Sequence, residues 1–209
     1  MSVRSLDELQ ESYDAVIICL GAEANLLPEL HGKLPLRTCR GVIAHLKPPA
    51  TASCGYTSQS PSLLSDAWLA VRGTSTLCLG STWDWQSRNS SSLVSNDEAS
   101  KALEELLPKA SKSYPNVKDW IFSGMTGGLR AMPPVTPRGS LPLMGCVDDL
   151  LAGRRPSKVW LLCGLGSRGL LYHARLGRLA AQAALVGDET LIPSEFTSWK
   201  MKFNESAAH

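Results

Sequence analysis

Two segments of the chain combine a continuous apolar run with a glycine turn. The first runs from Asp14 to Leu20 and ends at Gly21, and the second runs from Ser157 to Cys163 and ends at Gly164. Continuous apolar, β-branched runs predict strands that are buried on both faces, as in a parallel sheet covered by helices. An Ala- and Leu-rich segment follows the second turn through Val186. The sequence therefore predicts a strand, a glycine turn and a helix in that order.

The stretch between these two segments has a different texture. Short or alternating strand-like runs at Arg40 to Leu46 and Thr76 to Thr82 are separated by Pro, Ser and Gly. This pattern predicts a layer of short strands joined by turns, different from the buried strands at the two ends of the chain. Trp83 to Leu93 shows no periodicity, which predicts an exposed loop.

A helix is predicted directly after this loop. Ser95 and Glu98 have the spacing of a capping box, and apolar residues follow at helical spacing. Pro108 is expected to kink or divide that helix. From Gly124 to Gly145, dense Gly and Pro predict turns that flank short strands.

Length and charge exclude several classes of protein. The chain has 209 residues, of which 44% are apolar, and these numbers suit one domain or two small ones. With 19% charged residues and a formal net charge of +2, it lacks the charge density of a disordered tail or a basic nucleic-acid binder. No apolar run approaches the roughly 20 residues that span a bilayer. Neither a nucleic-acid partner nor a membrane partner is predicted.

The cysteines and histidines are dispersed. The cysteines are Cys19, Cys39, Cys54, Cys78, Cys146 and Cys163. They form no C-x-x-C and several lie in apolar runs, which is typical of buried reduced thiols rather than a disulfide framework or a zinc site. The four histidines show no metal-ligand spacing, so no metal site is predicted.

The sharpest local motif is the G-x-G-x-x-G from Gly164 to Gly169, between the second strand and its helix. The N–H groups of such a turn and the positive end of the helix favour a phosphate or an electron-rich ligand atom. A dinucleotide fingerprint also needs a second strand that ends in an acid, yet Asp188 follows the helix directly. Two interpretations stay open: a turn that binds a ligand such as a nucleotide, or glycines that only let the helix pack on the strand.

A second candidate is Arg130, in the Gly- and Pro-rich stretch. A planar guanidinium can grip a carboxylate through two parallel hydrogen bonds, which lysine cannot reproduce. Without further context, a surface arginine that caps carbonyls is the favoured interpretation.

Four blocks in sequence order supply that context. They are Asp14–Ala22, Pro35–Ile43, Gly128–Arg130 with Leu141–Gly145, and Gly164–Leu170. Together they resemble the C-terminal portion of the D-amino-acid-oxidase-like family of FAD-dependent oxidoreductases, over nearly the whole chain. The resemblance implies a mixed α/β fold, in which an incomplete FAD-binding Rossmann-like domain joins a substrate domain with a mixed sheet and helices. It divides the chain into residues 1–33 and 141–209 of the FAD-binding domain and residues 34–140 of the substrate domain.

The family's members begin with a strand, a G-x-G-x-x-G turn and a helix that bind the FAD diphosphate, whereas this sequence begins just before a later strand. A truncated product, a partial gene model or a splice form of a longer oxidoreductase is therefore expected. Such a fragment would expose apolar surface at residues 16–20 and 159–163, which predicts poor solubility or a partner, including oligomerisation through a sheet edge. The expected location is the cytoplasm or the matrix of a plastid or other organelle, with any targeting segment upstream.

The resemblance also implies roles for particular residues. The implied cofactor-binding residues are Gly21, Ala22, Arg40, Gly41, Gly164, Gly166, Ser167, Arg168, Gly169 and Leu170. The first two resemble a turn near the FAD adenosine and diphosphate, and Arg40 with Gly41 resembles a turn that enters the substrate domain near the flavin. The residues from Gly166 to Leu170 would place N–H groups and a helix N-terminus beside the flavin pyrimidine edge. Arg130 would grip the substrate carboxylate and is the candidate catalytic residue.

The implied activity is transfer of a hydride from a C–H beside an amine nitrogen to FAD, with a small amine or amino acid as substrate. The alternative is a non-catalytic remnant or interaction module that no longer binds FAD. Trp83 and Trp85 are open to two interpretations, a pocket lid or local packing. For Tyr172 and His173, a role on the helix surface or in packing is favoured over a role in the pocket.

Overall fold

The computed structural model describes residues 6, 9, 13–49, 59–73, 75–135, 139–151 and 159–200. It divides the chain into two compact units. The first unit consists of Met1–Thr38 and Arg130–His209, and the second consists of Cys39–Leu129. The predicted divisions lay after residues 33 and 140, and the boundaries between the units lie after Thr38 and Leu129.

The elements fall into two sheets with helices, which confirms the predicted mixed α/β fold class. The strands are β1 (Val16–Ile18), β2 (Arg37–Lys47), β3 (Trp68–Arg72), β4 (Thr76–Gly80), β5 (Ile121–Met132), β6 (Leu143–Cys146) and β7 (Val159–Cys163). The α-helices are α1 (Asn96–Ser113), α2 (Gly169–Val186) and α3 (Ser194–Thr197). Short 3-10 helices cover Gly21–Leu26, Pro115–Asp119, Asp148–Leu150, Gly166–Arg168 and Glu189–Leu191.

The first unit is built on a three-stranded sheet in the order β1-β7-β6. The central strand β7 is parallel to β1 and antiparallel to β6, so Trp160 lies beside Ile17 on one side and Cys146 on the other. Alternate β7 side chains pack into two separate cores. Trp160 and Leu162 pack with the inner face of α2, whereas Leu161 packs with residues that follow β1.

The two glycine-ended strands differ in burial. All five residues of β7 are buried, as predicted for a strand covered on both faces, and the expected exposure of residues 159–163 is wrong. In contrast, Ile17 of β1 is 37% exposed and Leu20 just after it is 48% exposed, so the prediction of two buried faces is wrong for β1. β1 is also an outermost strand of this sheet. Oligomerisation through this edge stays a prediction.

Helix α2 follows β7 as the sequence predicts. It ends at Gly187, whose φ of +73° allows its N–H to donate to the Ala183 carbonyl at 2.8 Å. This is the usual way for a glycine to end a helix, because it lacks the Cβ that disfavours the left-handed conformation.

The second unit is built on a four-stranded sheet in the order β3-β4-β2-β5. Helix α1 packs on one face of it, where Leu106 and Ala110 meet Ala44, Leu46 and other apolar strand residues. The Ser95 hydroxyl accepts the Glu98 N–H at 3.2 Å, so α1 begins at the predicted cap.

Two predictions about this region are wrong. Helix α1 runs through Pro108 as one element, so the prediction that the proline divides it is wrong, and the alternative of a kink stays a prediction. The glycine-rich stretch before Arg130 is not made of short strands, because β5 is a single strand of 12 residues. Cross-strand pairing with β2 outweighs the weak strand preference of its glycines.

No helix in the described ranges has both the length and the apolar character that are needed to cross a membrane.

Candidate functional site

Two glycine turns lie at the same edge of the first unit's sheet. Gly21 follows β1 and Gly164 follows β7, and these strands are parallel neighbours. The Cys163 thiol donates to the Gly21 carbonyl across a distance of 3.0 Å. Both glycines have a left-handed backbone, with φ of +57° and +68°. Ligands of α/β sheets bind outside the carboxyl ends of the strands, and this is where the structure brings these turns together.

Neighbouring side chains lie so close to the second turn that two of its glycines leave no space for a Cβ. A Cβ at Gly164 would lie 3.0 Å from Leu143 and 3.2 Å from Leu36, and one at Gly166 would lie 3.2 Å from Cε of Met132. Gly166 also has a left-handed φ of +57°. Packing alone therefore explains part of the motif, since a side chain at either position would displace its neighbours.

The start of α2 has features that packing does not explain. No side-chain cap covers the helix N-terminus at Arg168, although the helix has 18 residues. Leu170 and Leu171 in its first turn are 87% and 77% exposed. An uncapped, positive helix end beside two exposed apolar side chains suits a ligand that offers both a flat apolar surface and electron-rich atoms.

The same loop meets the segment that carries Arg130. A side chain at Gly166 would contact both Met132 and Pro133, which follow Arg130 by two and three residues. Arg37 fixes this segment, because its Nε and Nη2 donate to the Pro133 carbonyl at 3.3 and 3.2 Å. Arg130 itself is partly exposed at the end of β5. The glycine loop and the predicted carboxylate-binding segment are thus neighbours within one unit.

The predicted turn at Arg40 and Gly41 is wrong as a description of the backbone, because both residues lie within β2. The Arg40 side chain is 1% exposed. Its Nε and Nη2 donate to the two carboxylate oxygens of Glu98, which raises the pKa of Arg40 above its usual value. The prediction that Arg40 and Gly41 bind FAD stays a prediction.

The rest of the Arg40 guanidinium holds the loop between β4 and α1. Nη1 donates to the carbonyls of Asn89 and Ser91 at 2.8 and 2.7 Å, and Nη2 donates to the Leu93 carbonyl at 3.0 Å. All five N–H donors of a guanidinium are then used. A capping signal at Glu98 was visible in the sequence, but nothing there indicated this network, because its partners lie 49 to 58 residues from Arg40.

A polar cavity of about 430 Å³ lies beside this network in the second unit. Asp84, Asn89, Asp97 and Lys101 are among its lining residues. Asp97 and Lys101 belong to the first turns of α1, where charged side chains are common.

The aromatic candidates have local partners. The Trp83 and Trp85 rings stack with centroids 6.1 Å apart and planes at 25°, which is the arrangement expected for local packing. Nδ1 of His173 lies 3.1 and 3.0 Å from the carbonyls of Gly169 and Leu170, so this ring rests on its own helix. Tyr172 is 39% exposed.

The five described cysteines are all free, in agreement with reduced thiols. Cys39, Cys78 and Cys163 are buried as expected, whereas Cys19 is exposed. Burial raises the pKa of Cys163 to about 11. Cys54 and His209 lie outside the described residues. Within those that are described, no three His, Cys, Asp or Glu side chains converge as metal ligands.

A family model for FAD-dependent oxidoreductases, named DAO, matches residues 2–183. The chain belongs to this family. The match covers most of both units, including every candidate site residue. No curated protein sequence matches the chain.

Solved structures with the same fold agree with the DAO assignment. Iminodiacetate oxidase from Chelativorans sp. BNC1 is 23% identical, with a TM-score of 0.64, over 88% of this chain and 46% of that one. L-proline dehydrogenase from P. horikoshii is 15% identical, with a TM-score of 0.66, over 90% and 47%. Glycine oxidase from Geobacillus kaustophilus is 20% identical, with a TM-score of 0.59, over 88% and 44%. The chain spans less than half the length of each of these DAO-fold proteins.

The groups at the start of α2 have a chemistry suited to part of an FAD molecule, the cofactor that the family's description names. The flavin's pyrimidine edge offers carbonyl oxygens and a ring nitrogen that match the N–H groups at the start of α2, and its flat ring matches Leu170 and Leu171. A Cβ at Gly166 would meet Met132 and Pro133, so this position admits a side chain only if its neighbours shift. The Gly21 turn, in which Ala22 belongs to a 3-10 helix, lies at the same sheet edge.

Proposed function

We propose that this chain provides the flavin-facing and substrate-facing parts of an oxidoreductase that acts on a small amine or amino acid. One observation carries the proposal: the turn at Gly166 packs against Met132 and Pro133, directly after Arg130. That contact brings a group suited to the flavin ring and a group suited to a carboxylate into one unit of a DAO-family protein.

The start of α2 would hold the flavin ring. Backbone N–H groups between Gly166 and Leu170, including those of Ser167 and Gly169, would donate to the pyrimidine edge, whereas the Arg168 N–H donates to the Leu165 carbonyl at 3.2 Å and shapes the turn. The positive helix end would stabilise negative charge there. When bound, FAD supplies the electron acceptor that takes a hydride from a C–H beside an amine nitrogen. Leu170 and Leu171 would exclude water from the ring.

Arg130 would hold the substrate by its carboxylate. A guanidinium provides two parallel N–H donors at a fixed spacing, so it sets the direction of the bound acid as well as neutralising its charge. The similar structures support this substrate class, because iminodiacetate, L-proline and glycine each carry an amine nitrogen and a carboxylate. Gly21 and Ala22 would approach the adenosine and diphosphate of FAD.

The first test is flavin binding. The purified chain, incubated with FAD and then desalted, is expected to keep the flavin absorbance bands. A colourless protein that is folded by circular dichroism would contradict the proposal and favour the alternative, an interaction module without cofactor.

The second test addresses Arg130 in the FAD-loaded protein, with oxygen consumption on glycine, L-proline and iminodiacetate. Arg130→Lys is expected to raise KM by at least about tenfold and to leave FAD content intact, because lysine keeps the charge but loses the paired geometry. Arg88→Lys, an exposed arginine of the second unit, serves as the control. Unchanged KM in Arg130→Lys would remove this residue from the site.

A further inference from the structure

A second chemically suited group of side chains lies on the sheet of the second unit. His45 of β2 and Cys78 of β4 are directly paired across the strands. Their strand neighbours Ala44 and Leu79 pack in the core under α1. Because side chains alternate along a strand, His45 and Cys78 lie on the opposite face of the sheet.

These side chains form a hydrogen-bonded row with a third strand. The Cys78 Sγ lies 3.5 Å from Nδ1 of His45, and Nε2 of the same ring lies 2.9 Å from Oγ1 of Thr126 on β5. Either neutral tautomer of His45 satisfies both contacts, and we assign the one that leaves Nδ1 free to accept a proton. The imidazole donates from Nε2 to Thr126 and accepts the Cys78 S–H at Nδ1.

Exposure decreases along the row from Thr126 to Cys78. Thr126 is exposed and His45 is partly exposed, while Cys78 is 8% exposed. Burial raises the pKa of the Cys78 thiol, and the charge of Arg72 opposes this in part. The thiol therefore keeps its proton near neutral pH. Any nucleophilic reaction must move that proton as the new bond forms, and Nδ1 is placed to take it.

We propose that Cys78 is a nucleophilic thiol with His45 as its base and Thr126 as the positioning residue of that base, and that the site forms covalent adducts with soft carbon electrophiles. α-Halo amides and α,β-unsaturated carbonyls are the ligand class. With iodoacetamide, the Cys78 sulfur forms a C–S bond, the C–I bond breaks and iodide leaves with the electron pair. The thiol proton passes to Nδ1 of His45 and then to water.

His45, Cys78 and Thr126 all belong to the second unit. The row has the arrangement of a nucleophile, a base and a third group that orients the base.

The test is a time course of iodoacetamide labelling on the 209-residue chain at neutral pH, read by peptide mass mapping. Cys78 is expected to be labelled, and His45→Gln is expected to slow this on the order of 10²-fold, the lower range of a positioned general base. Cys19, the exposed thiol of the first unit, is the internal control and should react equally in both proteins. Cys78→Ser identifies the labelled peptide.

Thr126→Val is a second variant for the case that His45→Gln does not fold, because the position is exposed. It removes the hydrogen-bond partner of Nε2, so slower labelling of Cys78 with unchanged labelling of Cys19 supports the site. Cys78 that stays unlabelled while Cys19 reacts overturns the proposal. Equal Cys78 rates in the parent chain and in the folded variants overturn it as well.

Discussion

The guanidinium of Arg40 and the carboxylate of Glu98 form a two-point ion pair in which the arginine is buried and the acid is partly exposed. The same guanidinium donates to three loop carbonyls. A paired and fully hydrogen-bonded cation tolerates burial, whereas the removal of partners is costly because a charge or a carbonyl is left without compensation.

Arg40→Lys should therefore destabilise the protein strongly. Lysine has three donors on a single atom and cannot span Glu98 and the carbonyls of Asn89, Ser91 and Leu93 together. We expect the free energy of unfolding in urea to fall by about 3 kcal/mol. The matched control is Arg88→Lys, whose contacts are exposed and local, with an expected change within about 0.5 kcal/mol. Similar losses in both variants would show that the Arg40 network contributes little.

Gly127 and Gly128 offer a test of the same network from β5. A Cβ at Gly127 would lie 2.4 Å from Nη2 of Arg40, whereas one at Gly128 meets nothing within 4 Å. Gly127→Ala is expected to lower the free energy of unfolding by about 1–3 kcal/mol, because the guanidinium must move off its partners. Gly128→Ala should be neutral or slightly stabilising. Thermal denaturation of the two variants side by side measures this, and equal melting temperatures would contradict it.

Gly166→Ala should weaken FAD binding. Alanine is disfavoured at the left-handed φ of this position, and its Cβ would press on Met132, so the loop would shift from the proposed flavin edge. We expect about a tenfold higher Kd for FAD, which corresponds to about 1.4 kcal/mol. Gly177→Ala, in the helix α2 that follows this loop and with open space around it, is the control with unchanged Kd. Fluorescence titration gives both values, and an equal Kd in the two variants would separate the loop from the cofactor.

Cys163 should make stability fall at alkaline pH. Burial raises the pKa of its thiol from 9.0 to about 11, so the folded form holds the proton more tightly than the unfolded chain. That contribution is complete below pH 9.0 and is lost as the pH rises through about 11. Between about pH 8 and about pH 11, the stability difference between the parent chain and Cys163→Ala should shrink by about 2 kcal/mol. Urea unfolding at several pH values measures it, and a constant difference would argue against a buried thiol.

The strand, turn and helix around Gly164 could be predicted because the signals are local. An apolar run, a glycine turn and an Ala- and Leu-rich segment each determine the structure of their own neighbourhood. The cap at Ser95 is local in the same sense. By contrast, the length of β5 depends on pairing with β2, which lies about 80 residues earlier, and the glycines of β5 conceal the strand in the sequence.

The candidate site residues also fall into those that local sequence identifies and those that only the folded chain brings together. The glycine turns and Arg130 are identified by blocks of sequence, and the structure adds that Gly21 and Gly164 share a sheet edge. Arg40 as a buried anchor and the row from Cys78 to Thr126 had no sequence signal, since the contacts of His45 join residues 33 and 81 positions apart. Only the register of the strands brings such residues together.

The Arg40 guanidinium donates to main-chain carbonyls of the loop before α1. These hydrogen bonds do not depend on which side chains the loop carries. Leu93, for example, is 79% exposed although its carbonyl is held by the arginine. The backbone conformation of this segment can therefore stay the same when its exposed side chains are substituted. Related proteins can vary these side chains at small cost to folding.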